Sequence, residues 1–205
     1  MKGFGDHYKS NRERNKKTKA SQVHIINQAI HFHAQGNIRE ATKYYNYLIT
    51  QGCNNDRIYS NYGIILRDQG KLKEAELYTR KAIEINPNFA DSHANLGIIL
   101  QDLGNLKEAE ISTRKAIEIN PDFANAHYIL SVILKDQGNL KDAEISTRKV
   151  IEIKPDFAQA HSNLGNILKD LGNLKDAESS YRKAIEIQPD FAQAHSNLGN
   201  ILKDL

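Results

Sequence analysis

The chain has 205 residues, 40% of them apolar and 26% charged, with a formal net charge of +3 and no tryptophan. That composition suits a soluble fold, and no run approaches the roughly 18–20 apolar residues that cross a bilayer. Cys53 is the only cysteine, which excludes an intrachain disulfide, and residues 1–6 (MKGFGD) lack the apolar stretch of a signal peptide, so a cytoplasmic location is expected.

Residues 1–21 form a separate basic segment. Lys2, Lys9, Arg12, Arg14, Lys16, Lys17 and Lys19 outweigh Asp6 and Glu13, giving +5 and leaving −2 for the rest of the chain. Polar residues dominate the remainder, so the arm is expected to be disordered. It reads as a solvated leader rather than a nucleic-acid arm, because the rest of the chain has no matching basic stripe and no aromatics interleave its densest charges. No nucleic acid and no membrane are expected as partners.

From Gln22 onward the chain repeats itself every 34 residues without insertion or deletion. The copies are 22–55, 56–89, 90–123, 124–157 and 158–191, followed by a half copy at 192–205 that duplicates the first fourteen residues of the copy before it. Numbering each copy from 1, position 7 is Leu96, Leu130, Leu164 and Leu198, position 8 is small (Ala29, Gly63, Gly97, Ser131, Gly165, Gly199), and position 11 is bulky throughout. Positions 4, 7, 8 and 11 share one face of a first helix. Position 20 is Ala41, Ala75, Ala109, Ala143 and Ala177, the small partner that lets a second helix pack close. Gly36, Gly70, Gly104, Gly138 and Gly172 sit between the two helices, and Pro87, Pro121, Pro155 and Pro189 stop the second. Asn88, Asp122, Asp156 and Asp190 are placed to cap the helix that follows. The first copy ends in Gln51-Gly52-Cys53-Asn54-Asn55 instead of a proline turn and carries Tyr44, Tyr45 and Tyr47, as an atypical terminal repeat would. Cys53 reads as a structural or incidental thiol.

This pattern resembles the tetratricopeptide repeat (TPR) family, over residues 22–205. The resemblance implies an all-α, right-handed superhelical solenoid of 34-residue helix–turn–helix repeats. It also implies that the first helices line a concave inner face, with positions 2, 5, 6, 9, 12 and 13 turned toward it.

On that face, position 6 is Asn27, Asn61, Asn95, Asn163 and Asn197, interrupted once by Ile129 beside Tyr128. Neighbouring helices pack about 8–10 Å apart and an extended peptide advances about 3.3 Å per residue, so one asparagine could grip a peptide backbone about every third residue. The row resembles the one lining the superhelix of O-linked N-acetylglucosamine transferases. Helix–helix bracing, or mere duplication, is the competing account of the same residues. Position 13 supplies Asp102, Asp136 and Asp170, and position 12 supplies Lys135 and Lys169, as further peptide-binding candidates.

His93, His127, His161 and His195 at position 4 are too far apart, by about one repeat each, to share a zinc ion. They read as packing residues. No nucleophile–base pair, phosphate-binding glycine loop or cysteine cluster points to catalysis or to a cofactor. Nor does the chain carry the cations with which chaperone-binding TPR proteins clamp a C-terminal carboxylate. The half repeat leaves Leu198, Gly199 and Leu202 without the second helix that would cover them, which points to a fragment or to self-association. The expected function is a non-catalytic scaffold that binds a protein or an extended peptide on the concave face. The alternative is the substrate-selecting N-terminal arm of a longer enzyme, such as a glycosyltransferase of the O-linked N-acetylglucosamine type.

Overall fold

The computed structural model describes residues 22–204, so the basic arm lies outside the described residues. The described chain is built from eleven helices: α1 (22–34), α2 (Ile38–Thr50), α3 (Asp56–Asp68), α4 (Leu72–Ile85), α5 (Ala90–Asp102), α6 (Leu106–Ile119), α7 (Ala124–Asp136), α8 (Leu140–Ile153), α9 (Ala158–Asp170), α10 (Leu174–Ile187) and α11 (Ala192–Asp204). It has no strand among the described residues. The fold is an all-α helical-repeat solenoid. Two compact units divide the described residues, one up to Pro87 holding α1–α4 and one from Asn88 holding α5–α11.

The glycine between paired helices does what its position demands. In the third repeat Gly104 has φ +77°, a conformation that L side chains rarely adopt. Its N–H donates to the Gln101 carbonyl at 2.9 Å, and the Asn105 N–H donates to the Leu100 carbonyl at 2.8 Å. Together these bonds close the helix and reverse the chain. In the first repeat Gly52 (φ +69°) performs a similar turn where later copies use proline, and buried Cys53 follows it. Burial pushes the Cys53 thiol up, partly offset by a hydrogen bond with Gln22.

The starts of the first helices depart from expectation. Asn88, Asp122 and Asp156 are one residue too early to cap: the N-cap residues are Phe89, Phe123 and Phe157, and none makes a side-chain cap bond. The position-4 histidines fasten these starts instead. His127 Nε2 meets the Pro121 carbonyl at 2.8 Å, His161 Nε2 meets that of Pro155 at 2.9 Å, and His195 Nε2 meets that of Pro189 at 2.8 Å. A carbonyl only accepts, so each ring carries its proton on Nε2. The imidazole ties the first turn of the new helix to the proline that ended the old one.

Packing follows the repeat. In the second unit, Leu130, Leu134 and Ala143 of one repeat enclose Ile167 of the next, with Ile117 of the preceding repeat alongside. Leu164, Leu168, Ala177 and Tyr181 enclose Ile201 in the same way. Position 10 is thus the link between these repeats of the second unit, and the isoleucines there, Ile133, Ile167 and Ile201, are fully buried. Burying a side chain of this size stabilises by about 1.5–3 kcal/mol.

Within a repeat the two helices meet most closely at position 8. A Cβ on Gly97 would collide with Thr113 Oγ1, and behind it lies the Ala109 carbonyl oxygen at 3.3 Å. Gly63 faces Thr79 and Ala75 in the same manner. A Cβ on Gly165 would sit 2.6 Å from the Tyr181 ring. Gly199 has nothing within 4 Å. Gly97→Ala should therefore destabilise the chain by about 1–3 kcal/mol, with part of the loss recovered when Thr113→Ala is added. Gly199→Ala should be stabilising by up to about 1 kcal/mol, because it gains helix propensity without a clash. Urea denaturation of the three variants followed by circular dichroism checks both signs.

Candidate functional site

Each first helix carries a partly exposed arc, buried at position 5 in Ser60, Ala94 and Ser162. On a helix, positions 2, 5, 6, 9, 12 and 13 fall within about 60° of position 9, an arc centred about 100° from the packed glycine at position 8. We call this arc the first-helix face. Its central row, position 9, is half-buried from Ile30 to Asn166 and exposed at Asn200.

The asparagines of position 6 lie at the border of this arc, and the structure places them in different surroundings. Asn27 is exposed and Asn95 is half-buried. Asn61 is half-buried, and its Nδ2 donates to the Tyr45 hydroxyl at 3.3 Å. Asn163 is only 6% exposed, and its Nδ2 reaches Ser131 Oγ at 3.0 Å and Thr147 Oγ1 at 3.2 Å. Asn197 Nδ2 donates to Asn166 Oδ1 at 2.9 Å, the same oxygen that accepts from the Tyr181 hydroxyl at 2.9 Å.

One rule covers the three asparagines. A position-6 amide reaches back to the position-24 hydroxyl of the preceding repeat, directly or through the position-9 amide. At Asn163 both hydroxyls are fully used: Ser131 Oγ donates to the Tyr128 carbonyl at 2.7 Å, and Thr147 Oγ1 donates to the Ala143 carbonyl at 2.8 Å, while both accept from Asn163. Thr79 Oγ1, by contrast, is buried without a hydrogen-bond partner among the described residues. Tyr45 meets His33 Nδ1 at 3.2 Å on its other side. Burial and the nearby Asp170 push the Tyr181 phenol up to about 12. Ile129, buried, takes the amide's place in the fourth repeat, and Thr113 Oγ1 of the third is left bonding only to the Ala109 carbonyl at 2.8 Å.

The remaining candidates stay at the surface or near it. Asp102, Asp136 and Asp170 are exposed, as is Lys169, and Lys135 is half-buried. Asp136 accepts from Gln101 Nε2 of the preceding repeat at 2.7 Å. Tyr128 is half-buried against the Phe157 ring, with centroids 5.3 Å apart, and that burial pushes its phenol up.

Two features escaped the sequence. Position 24, never singled out, provides the hydroxyls that face the glycines and take the amides; its run of Thr79, Thr113 and Thr147, flanked by Tyr45 and Tyr181, was the available signal. On the opposite side of the second helices, Leu77, Ile111 and Ile145 at position 22 are 66–69% exposed. Ile145 borders a groove of about 520 Å³ that Ile117, Leu130, Arg114 and Lys149 also line. Around it the charges pair along each helix, Arg114 with Glu110 and Lys149 with Glu152. Among the described residues no helix is long and apolar enough to cross a membrane, and no group of three or more His, Cys, Asp or Glu could hold a metal ion.

Comparison with known proteins matches the chain four times to tetratricopeptide-repeat families: residues 56–89, 90–123 and 124–157 as a tetratricopeptide repeat, and 165–205 as a TPR repeat. The chain belongs to the TPR family. Solved structures share its fold. A crystal structure of YrrB, described as a TPR protein with an unusual peptide-binding site, is 24% identical with a TM-score of 0.67, over 95% of this chain and 97% of that one. TTC0263, a thermophilic TPR protein of Thermus thermophilus, is 16% identical with a TM-score of 0.73, over 89% and 99%. The Cut9–Hcn1 hetero-tetramer of the APC/C gives 14% identity and a TM-score of 0.79, over 85% of this chain and 35% of that one. No curated protein matches the chain.

These TPR repeats differ in how deeply they hold the amide, and the difference is measurable. Asn163→Ala leaves two buried hydroxyls short of a donor and should lower stability by about 1–3 kcal/mol. Asn27→Ala, at an exposed position, should stay within about 0.5 kcal/mol of the parent. Thermal denaturation of the two variants makes the comparison.

Proposed function

We propose that this TPR chain is a non-catalytic, cytoplasmic scaffold that holds an extended segment of another protein along its first-helix face. The observation that carries the reading is the periodicity of what that face leaves accessible. Successive first helices present Asp102, Asp136 and Asp170 in one row and Lys135 and Lys169 in another. Rungs about 10 Å apart match every third residue of an extended chain.

The asparagines divide between two tasks on this reading. Asn163 serves the stack, since its amide is buried and bonded to two hydroxyls. Asn27, exposed, and Asn61, Asn95 and Asn197, half-buried, remain within a partner's reach. Tyr128 breaks the polar row and offers an apolar contact there. No particular residue favours the substrate-selecting arm of a glycosyltransferase over the scaffold, so the scaffold is the reading put forward.

A pair of variant sets tests it. Asn166→Ala, Lys169→Glu and Asp170→Lys together alter the first-helix face of the fifth repeat, and Lys175→Glu, Ser179→Ala and Lys183→Glu alter the outer side of α10. Proteins retained from a lysate of the source cells are quantified by mass spectrometry, with helicity checked on each variant. The first set should reduce retained partner at least about tenfold and the second should leave it unchanged. The reverse pattern, or substrate turnover by the purified chain, would remove the proposal.

A further inference from the structure

The first repeat differs from the others at position 12. His33 stands where later copies carry Arg67, Gln101, Lys135, Lys169 and Lys203, so it alone in that row changes charge near neutral pH. It is half-buried, and its Nδ1 lies 3.2 Å from the Tyr45 hydroxyl, the two rings meeting edge to face with centroids 5.8 Å apart. The same hydroxyl accepts from Asn61 Nδ2 at 3.3 Å. Side chains from α1, α2 and α3 thus form one relay within the first unit.

The donors and acceptors fix its direction. Asn61 Nδ2 can only donate, so the Tyr45 oxygen accepts there and the hydroxyl proton goes to His33 Nδ1. His33 is therefore neutral, with its own proton on Nε2. The opposite assignment would leave the hydroxyl proton of a fully buried tyrosine unpaired, which is costly. Tyr45 is also in contact with the Tyr62 ring, so the parts that can turn are the hydroxyl proton and the amide. The fifth repeat shows the other polarity. Position 12 there is Lys169, which has no acceptor, and the Tyr181 hydroxyl donates to an amide oxygen, Asn166 Oδ1, at 2.9 Å.

We infer that the His33–Tyr45–Asn61 relay is a pH-operated switch that reverses the hydrogen-bonding group the second repeat offers to a partner. A proton from solvent binds His33 Nδ1, which then donates to the Tyr45 oxygen. The hydroxyl proton swings to the other side, and the Asn61 amide turns half a revolution so that Oδ1 accepts it. Nδ2, until then committed inward, becomes the group within reach, and an acceptor is exchanged for a donor. Burial holds the His33 imidazole below its usual value, and the Asp68 carboxylate, acting from α3 and paired with Arg67 at 3.6 Å, draws it part of the way back. From α2 the facing group is Tyr45, whose phenol burial pushes up, so it keeps its proton throughout. The reversal therefore falls on the acidic side of the usual histidine midpoint. It needs no partner; only its effect on binding rests on the scaffold reading above.

Side-chain amide and imidazole NMR signals of the isotopically labelled full chain are followed from about pH 8 to about pH 5. Asn61→Ala and His33→Gln assign the two signals, and circular dichroism checks that each variant is folded. The Asn61 amide signal should move with the His33 midpoint, and that midpoint should lie below the usual histidine value. In His33→Gln the Asn61 signal should no longer respond to pH. In Tyr45→Phe it should also stop responding, while His33 titrates at higher pH because the bond favouring its neutral form is gone. A His33 that stays neutral throughout, an Asn61 signal indifferent to its titration, or a response that survives Tyr45→Phe would each overturn the switch. With no partner in the sample, none of these results decides whether the face binds one.

Discussion

The structure depends on how closely the two helices of a repeat approach. At Gly63 and Gly97 the approach leaves no room for a Cβ, because a threonine hydroxyl of the second helix occupies that space. A hydroxyl is a demanding neighbour there, since burying it without a partner costs about 1–3 kcal/mol. Thr113 and Thr147 meet the demand by bonding to the carbonyl four residues back, and Thr147 also accepts the Asn163 amide from the next repeat, whereas Thr79 at Gly63 bears the cost without a partner among the described residues. Close packing inside one repeat is thereby coupled to the register of the following one.

That coupling bears on function by deciding which residues are left for a partner. An asparagine at position 6 sits about 60° from the centre of the exposed arc, at the border between solvent and stack. Where the preceding repeat offers a hydroxyl in a tight site, as Ser131 and Thr147 do, the amide turns inward and is buried. Where α1 begins the described chain, Asn27 stays exposed. Rows at positions 9, 12 and 13 lie nearer the centre of the arc or on its open edges.

Helix pairing was legible because it rests on local constraints that leave unambiguous letters. A glycine every 34 residues marks a positive φ, and an alanine at position 20 marks close packing. The helix starts were not legible, because an aspartate after a proline suggests a cap whether or not it lies one residue too early. Histidine gave no sign that it would bond to a proline carbonyl six residues back, a contact that exists only once the turn has formed. Position 10 was legible in principle, its isoleucine recurring from the second repeat to the last. The asparagine row could not be resolved from sequence, since an amide serves equally well as a brace or as a peptide ligand.

A double-mutant cycle between Asn163 and Thr147 tests the account most directly. Asn163→Ala, Thr147→Val and the combination are made in the full chain, and unfolding free energies are measured for all four proteins. If the amide–hydroxyl bond couples successive repeats, the cycle should return an interaction energy of at least about 1 kcal/mol, within the range for residues sharing a hydrogen-bond network. Strictly additive losses would contradict it, showing that each side chain contributes to its own helix and that nothing passes between the repeats at this point.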